Sequence, residues 1–422
     1  MGLAAVLTVG LLGACGGGSG GTPVLNWYIN PDNGGQKQLA AECSKASGGR
    51  YRVETSLLPN DATSQREQLV RRLAAKDSSI DLMSLDPPFV PEFAEAGFLR
   101  PFSSVEKAEF TRGVLEGPIT SATWNDKLFA APFWANTQLL WYRKSVVQKA
   151  GLDPGAGPVT WDRIVRAAEA TGTTVEVQGR RYEGYMVWVS ALVSSAGGRI
   201  LINPEAGKDV RPGIDSAAGR QAAATIRMLA RSRAADPGLS DADEEVTRKA
   251  FQTDKGGFMV NWPYVYGAAQ EAVAGGTLEK TVLDDIGWAR YPRVLADKVS
   301  RPPMGGINLG VGAYGKHPKE ALAAVRCITS VKSQVEYMVG AKNPGARGAV
   351  YDDPQVRKVF PMADLIRESI NDSAPRPRTP YYTDVSSSVQ REFHPPASVQ
   401  PTRTPHAASR LITQVLKDKV LL

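Results

Sequence analysis

The sequence is poor in the residues that build most metal and catalytic sites. Its 422 residues include only three cysteines and three histidines. The histidines His317, His394 and His406 lack the spacing of metal ligands, such as HExxH. A Walker loop for phosphate binding is absent, and so is a GxSxG elbow between a strand and a helix. The sequence therefore predicts a protein without metal or cofactor that is not an enzyme.

Long hydrophobic runs and runs of like charge are lacking as well. Lys and Arg number 50 against 43 Asp and Glu, and the formal net charge of +7 is spread along the chain. This distribution favours a solvated basic surface over a nucleic-acid site, so no nucleic-acid partner is expected. Beyond the N-terminal segment, no apolar stretch is long enough to cross a membrane. The length and apolar content permit two domains with a sizeable core.

The N-terminal segment has the features of a secretory leader. The apolar run at residues 3–12 is too short to span a bilayer and is typical of a signal peptide. The small-residue box LGAC, which ends at Cys15, fits cleavage by a lipoprotein signal peptidase, and the glycine-serine run at 16–21 would form a flexible tether. We predict that residues 1–21 are signal peptide and tether, with Cys15 lipid-anchored and the protein outside the cytoplasm on the cell membrane. The alternative is a chance cysteine after a poor leader.

The rest of the chain alternates between strand and helix patterns, which predicts an α/β fold. Residues 24–29 and 80–85 are predicted strands, followed by the carboxylates Asp32 and Asp86. Ligands of open α/β sheets bind beyond the carboxyl ends of the strands, so both carboxylates are candidates to bind a ligand. The alternatives are turn formation for Asp32 and, for Asp86, capping of a helix predicted at 89–96.

Two further candidates lie near predicted strand ends in the middle of the chain. Residues 127–131 and 138–142 are predicted strands on either side of the segment 132–137, which contains Asn136. An amide there can donate and accept hydrogen bonds at once, although Asn is also a common turn residue. Trp262 lies just past a strand end and offers a flat apolar face to a ligand, with core packing as the alternative.

Two weaker candidates lie in the last third of the chain. Gly305 and Gly306 either let backbone amides approach a ligand closely or form a simple loop. Arg376 belongs to a segment at 375–380 that its prolines stiffen. A solvated surface arginine is the alternative for that position.

Four blocks of the sequence resemble, in order, the family 1 extracellular sugar-binding proteins of bacterial ABC importers. The first block reads IDLMSLDPPFVPEFAEAGFLRPF, and the second contains APFWANTQLLWYRKSVVQKAGL. The blocks span residues 80–102, 128–152, 251–262 and 305–331. The resemblance covers nearly the whole chain after the leader.

This resemblance implies a two-lobed periplasmic-binding-protein fold of type II, with a hinge and an interlobe cleft. Lobe 1 would comprise residues 22–133 and 303–360, and lobe 2 residues 134–302 and 361–422. A sugar would bind between the lobes, Arg376 would lie at the cleft, and the partners would be the permease subunits of an ABC importer. No reaction would be catalysed.

Shorter segments are similar to the mycobacterial trehalose-binding lipoproteins of this family. These segments are NTQLLWYR at 136–143, VNWP at 260–263, GGINL at 305–309 and RPRTP at 376–380. The similarity implies α,α-trehalose, or a closely related α-glucoside, as the ligand.

Cys43 and Cys327 can either form a disulfide, as expected outside the cytoplasm, or remain two separate buried thiols. The topology of the family puts both in one lobe, on the first helix and on the helix after the returning strand. On that ground we predict a disulfide between them.

Two rival functions stay open at this point. The same fold could bind a glycerophosphodiester or another phosphorylated polyol, with Arg376 and Arg378 as phosphate ligands. An exported glycoside hydrolase is the rival from another class, because its two carboxylates are defined by a three-dimensional separation that a sequence does not reveal.

Overall fold

The computed structural model describes residues 21–422 as an α/β protein with two main β-sheets. The predicted anchor Cys15 and nearly all of the predicted leader lie outside the described residues. The strands are β1 (Val24–Ile29), β2 (Arg52–Leu57), β3 (Leu82–Leu85), β4 (Thr123–Trp124), β5 (Lys127–Leu128), β6 (Ala130–Thr137), β7 (Leu139–Arg143), β8 (Thr174–Glu176), β9 (Gly256–Asn261), β10 (Ile286–Ala289) and β11 (Met304–Val311).

Helices cover both sheets, as the α/β pattern predicts. They are α1 (Gly35–Ala46), α2 (Ala62–Ala74), α3 (Val90–Glu95), α4 (Ser104–Thr111), α5 (Glu116–Ala122), α6 (Lys144–Ala150), α7 (Trp161–Thr171), α8 (Glu183–Ser195), α9 (Ala217–Ala230), α10 (Glu244–Phe251), α11 (Tyr264–Ala274), α12 (Lys280–Asp284), α13 (Pro318–Ile328), α14 (Val331–Ala341), α15 (Pro354–Val359), α16 (Ala363–Asp372), α17 (Tyr382–Phe393) and α18 (Arg403–Leu416). Among residues 21–422, no helix combines the length and apolarity that a membrane span requires.

The first sheet has the strand order β2-β1-β3-β11-β6. Strands β1, β2 and β3 are parallel, whereas β11 runs antiparallel to both β3 and β6. Strands β3 and β6 therefore point the same way, and their carboxyl ends meet the amino end of β11 at one edge of the sheet. The inner strands β3, β6 and β11 are almost entirely buried, whereas the edge strand β2 carries polar residues and is largely exposed.

The second sheet has the order β10-β7-β9-β8. Helix α8 shares a hydrophobic core with this sheet and is apolar on nearly all sides, so that 11 of its 13 residues are buried. The C-terminal helices α17 and α18 pack on each other, and α17 also packs on α8. The end of the chain is thereby joined to the second sheet.

The chain passes between the two sheets at neighbouring points. Strand β6 ends at Thr137 and β7 begins at Leu139, so Gln138 alone links them. Beside β11, Pro303 forms a parallel bridge to Ala374, and the Met304 amide donates to the Ala374 carbonyl over 2.9 Å. These adjacent crossings form the hinge of the two-lobed fold that the sequence predicted. The predicted residue bounds of the lobes stay a prediction. The pairing of the first sheet extends to Thr137, four residues past the predicted bound at 133.

The predicted interruption between two short strands at 132–137 is wrong, because β6 continues through these residues. Proline has no N–H for a sheet ladder and is rare inside a central strand. In the structure the register shifts between Ile307 and Asn308, whose partners are Trp134 and Pro132. The strand thus carries a bulge at Phe133, which accommodates the proline within a continuous strand.

The predicted disulfide between Cys43 and Cys327 is confirmed. The two Cα atoms are 5.8 Å apart, within the range that a disulfide requires. The bond joins α1 to α13, both of which pack on the first sheet. It closes a chain segment of 284 residues and so links the beginning of the lobe to its returning portion.

Candidate functional site

The predicted site residues converge on the edge of the first sheet that faces the second. Asp86 follows β3, Asn136 lies at the end of β6, and Gly305 and Gly306 lie at the start of β11. The pairing of Asn136 with Gly305 and the shared direction of β3 and β6 bring these positions together. Trp262 reaches the same edge from the end of β9 in the second sheet.

One end of this cleft is built around a buried guanidinium. Arg376 is only 5% exposed. Its Nη1 donates to Glu183 over 2.7 Å and to Asp86 over 3.2 Å, and its Nη2 donates to the other oxygen of Asp86. We call Asp86, Glu183 and Arg376, with Tyr382 and Ser386 that bind Glu183, the charged corner.

The contacts of the charged corner rule out helix capping for Asp86 and a solvated surface position for Arg376. The Asp86 side chain makes no capping hydrogen bond to the turn that follows it, and both of its oxygens accept from Arg376 instead. Arg376 is not a solvated surface arginine, because it is enclosed by groups from both sides of the cleft. Whether Asp86 and Arg376 also contact a ligand stays a prediction.

Burial dominates the electrostatics of Glu183. It raises the pKa of the Glu183 carboxyl above its ordinary value, and the negative charge of Asp86 adds to this effect. The positive charge of Arg376 and the hydrogen bond from Tyr382 oppose the rise. Burial therefore favours the neutral carboxyl of Glu183, whereas Arg376 favours its ionised form.

The other end of the cleft is aromatic. A methyl group added at Gly305 would lie 2.9 Å from two ring carbons of Trp262 and 3.7 Å from the Asn136 Cβ. The six-membered ring of the indole thus lies close to the backbone of β11, and only glycine permits that approach. Trp262 itself is half-buried, so core packing does not enclose all of its ring. We call Asn136, Trp262 and Gly305, together with Glu244 and Tyr182 described below, the aromatic corner.

Gly306 has a different structural reason to be glycine. Its φ of +112° lies in a region that side chains rarely adopt, and a Cβ there would lie 2.4 Å from the Trp134 carbonyl oxygen. Both glycines belong to β11, so neither forms the simple loop that was the alternative.

Two acidic residues of the cleft were missed by the sequence reasoning. Glu183 begins α8, and Glu244 begins α10, where it accepts from the Tyr182 hydroxyl over 2.6 Å. Burial raises the pKa of the Glu244 carboxyl, whereas the hydrogen bond from the Tyr182 hydroxyl opposes the rise. Acidic residues at the start of a helix are common because they interact favourably with the helix dipole, so nothing in the pattern distinguished these two.

Asp32 is tied into its own loop. One carboxylate oxygen accepts from the Gly34 amide over 2.9 Å, and the other accepts from the Gln36 amide over 2.8 Å and from the Tyr337 hydroxyl over 3.1 Å. These bonds fit the turn-forming alternative, and a ligand contact through Asp32 stays a prediction.

The two arginines proposed for a phosphate ligand have other contacts. The charge of Arg376 is matched by two carboxylates, and Arg378 donates to the Thr123 carbonyl. Burial lowers the pKa of Arg378. Within residues 21–422, no group of three or more His, Cys, Asp or Glu side chains could hold a metal ion.

Donors, acceptors and a flat apolar face at the cleft of a two-lobed fold define a protein that binds a small polar solute. Comparison with known proteins gives the family. The model for bacterial extracellular solute-binding proteins matches residues 38–335, and the chain belongs to this family. A probable ABC transporter-binding protein of Deinococcus radiodurans is 27% identical over 337 residues, which are 78% of this chain and 76% of that protein. The chain is thus the solute-binding component of an ABC transporter, an extracytoplasmic class of protein.

Solved structures share the fold over nearly the whole chain. Maltose-bound MalE3 of T. maritima has a TM-score of 0.79 at 24% identity, over 94% of this chain and all of that one. The GacH receptor of Streptomyces glaucescens, solved unliganded and with acarbose, has a TM-score of 0.79 at 21% identity and the same coverage. A solute-binding protein of Agrobacterium vitis with bound D-mannitol has a TM-score of 0.71 at 22% identity, over 94% of this chain and 97% of that one. These relatives and neighbours are binding proteins, not enzymes.

Proposed function

We propose that this protein binds a neutral disaccharide, α,α-trehalose or a related α-glucoside, between its lobes and delivers it to an ABC permease. The observation that carries this proposal is the pairing of two features in one cleft. A buried guanidinium with two carboxylates lies at one end, and the indole of Trp262, laid against Gly305 beside Asn136, lies at the other.

These groups match the chemistry of a sugar. Carboxylates and guanidinium N–H groups form charge-assisted hydrogen bonds with hydroxyl groups, and an aromatic face packs against the C–H side of a ring. The bound ligands of the similar folds, namely maltose, acarbose and D-mannitol, all carry many hydroxyl groups. Together with the trehalose-like sequence segments, this favours a disaccharide.

The charge balance favours a neutral ligand over a phosphorylated one. Two carboxylates already surround Arg376, so an added phosphate would meet excess negative charge. We expect the lobes to close on the sugar, because closure brings groups of both lobes onto one ligand.

The lipid anchor belongs to the same proposal. A tether on Cys15 would hold the binding domain near its permease and raise its local concentration there. Replacing Cys15 by Ala should release a protein that still binds sugar, since the tether precedes β1. A Cys15→Ala protein that stayed in the membrane fraction would contradict the anchor.

Calorimetry against a panel of disaccharides tests the function. We expect binding of α,α-trehalose or another α-glucoside, with an affinity that barely changes between low and high salt because the ligand is neutral. An affinity that falls with salt, together with preference for a glycerophosphodiester, would contradict the proposal. The same mixtures should contain intact sugar after incubation, whereas released monosaccharide would favour the hydrolase.

A further inference from the structure

The charged corner holds more negative charge than its guanidinium requires. Arg376 forms ion pairs with both Asp86 and Glu183, whose side chains are 16% and 11% exposed. With both acids ionised, the corner carries one excess negative charge, although the whole chain has a formal net charge of +7. A single carboxylate would be enough to neutralise the arginine, so the presence of a second carboxylate calls for an explanation.

Both carboxylate oxygens of Glu183 accept hydrogen bonds from other protein side chains. Its Oε1 accepts from Arg376 Nη1 over 2.7 Å and from the Tyr382 hydroxyl, and its Oε2 accepts from Ser386 Oγ over 2.8 Å. Tyr382 and Ser386 are both buried on α17. Glu183 is thus fixed behind Arg376 and would act on a ligand only through that guanidinium.

Arg376 keeps donors that the two carboxylates do not use. A guanidinium has five N–H donors, and the bonds to Asp86 and Glu183 take three of them. Its Nε is buried and finds no hydrogen-bond partner within residues 21–422. A guanidinium in this state can still donate to a hydroxyl group, but its attraction for an anion is cancelled by its neighbours.

We propose that Glu183 is a specificity-determining residue that acts by positioning and neutralising Arg376. With Glu183 ionised, the cleft takes an uncharged polyhydroxy ligand and rejects its phosphorylated form. The inference rests on the proposed function, because it assigns to Arg376 a place beside the ligand. Glu183 would thus determine which class of ligand the site accepts without contacting the ligand itself.

The test compares neutral and anionic probes in Glu183→Gln. Glutamine keeps the shape of the side chain and one acceptor for Arg376 and Tyr382, but removes the charge. The probes are α,α-trehalose, trehalose 6-phosphate and inorganic phosphate. In Glu183→Gln we expect the affinity for trehalose 6-phosphate, relative to trehalose, to rise at least about tenfold over the wild type. We also expect inorganic phosphate to raise the Tm of Glu183→Gln and not that of the wild type.

Matched variants separate charge from structure. Glu183→Asp keeps the charge and should keep the preference of the wild type. Tyr382→Phe and Ser386→Ala each remove one hydrogen bond to Glu183 without a change of charge, and neither should increase phosphate binding. Asp86→Asn removes the other carboxylate charge and should also increase phosphate binding, which decides the matter if Glu183→Gln does not fold.

Two results would overturn the inference. The first is a folded Glu183→Gln, or Asp86→Asn in its place, whose response to phosphate and to trehalose 6-phosphate equals that of the wild type. The second is an equal gain of phosphate binding in Tyr382→Phe, which would assign the effect to lost hydrogen bonds. If the wild type fails to bind any disaccharide, the proposed function is wrong, and the response to inorganic phosphate still decides the role of Glu183.

Discussion

The two corners of the cleft hold their polar groups in different ways. In the charged corner, Arg376 donates to both Asp86 and Glu183. In the aromatic corner, Trp262 is half-buried against Gly305, and Asn136 accepts a single bond from the amide of its neighbour Thr137. The charged corner is therefore organised before any ligand arrives, whereas the aromatic corner has more of its surface available for contact.

This difference predicts different consequences of substitution. Changes in the charged corner should affect folding strongly, because an ion pair that loses one partner leaves a buried charge uncompensated. Changes in the aromatic corner should affect ligand binding more than folding. Measuring stability and affinity on the same variants would show whether the two corners differ in this way.

The largest effect is expected for Arg376→Met. Without the guanidinium, Asp86 and Glu183 face each other as unpaired carboxylates, and we expect the free energy of unfolding to fall by about 3–5 kcal/mol. Urea denaturation of the ligand-free protein measures it. Arg378→Met, which removes a half-buried arginine bound to one carbonyl, is the control and should cost much less. A loss below about 1 kcal/mol for Arg376→Met would contradict the account of this corner.

Glu176 is a buried carboxyl whose side-chain partner is a hydroxyl group, in contrast to the carboxylates that pair with Arg376. Burial raises the pKa of Glu176 to about 8, and its side-chain partner is the Thr174 hydroxyl at 2.5 Å. Because its ordinary pKa is near 4.3, the protonated form stabilises the fold at low pH, and this contribution is lost as the pH rises through about 8. We expect Glu176→Gln to be more stable than the wild type at pH 9, by about 2–4 kcal/mol.

The control for this prediction is Glu67→Gln, which changes an exposed carboxylate on α2. Thermal unfolding between pH 5 and pH 9 should show a difference between Glu176→Gln and the wild type that grows with pH. A difference that stays constant over this range would show that Glu176 is ionised in the fold throughout.

In the aromatic corner, Trp262→Ala should have the largest effect on binding. Loss of the stacking face should weaken sugar binding by about 2 kcal/mol, or roughly 30-fold, with a smaller change in stability because the ring is partly exposed. Calorimetry measures the affinity. Trp288→Ala is the matched control, since Trp288 is a half-buried tryptophan of β10 that packs on Tyr266. Equal losses of affinity in both variants would place the sugar elsewhere.

The smallest effect is expected for Asn136→Ala. A neutral amide that pairs with a hydroxyl group contributes about 1 kcal/mol, so affinity should fall about fivefold. The melting temperature of the free protein should change little, because the bond from Thr137 is local. A loss larger than that of Trp262→Ala would reverse the order of the two residues and contradict the stacking role of the indole.

The sequence revealed the parts of the cleft that follow from local pattern. Asp86 and Trp262 could be placed because each comes directly after a strand whose pattern is clear, and strand ends meet at one edge of a sheet. Glu183 could not be found, because its partner Arg376 lies 193 residues away and only the fold brings the two together. The continuous β6 was missed because a bulge lets Pro132 remain in a strand. Such long-range pairings and local irregularities leave little trace in a sequence.

The central claim is that a neutral α-glucoside binds between the two corners. A crystal structure of the protein with α,α-trehalose tests this claim most directly. The account predicts sugar density that lies against the Trp262 indole, with hydroxyl groups within hydrogen-bonding distance of Asp86 or Arg376 at one end and of Asn136 at the other. Density outside the cleft, or a sugar that contacts neither Trp262 nor the charged corner, would contradict it.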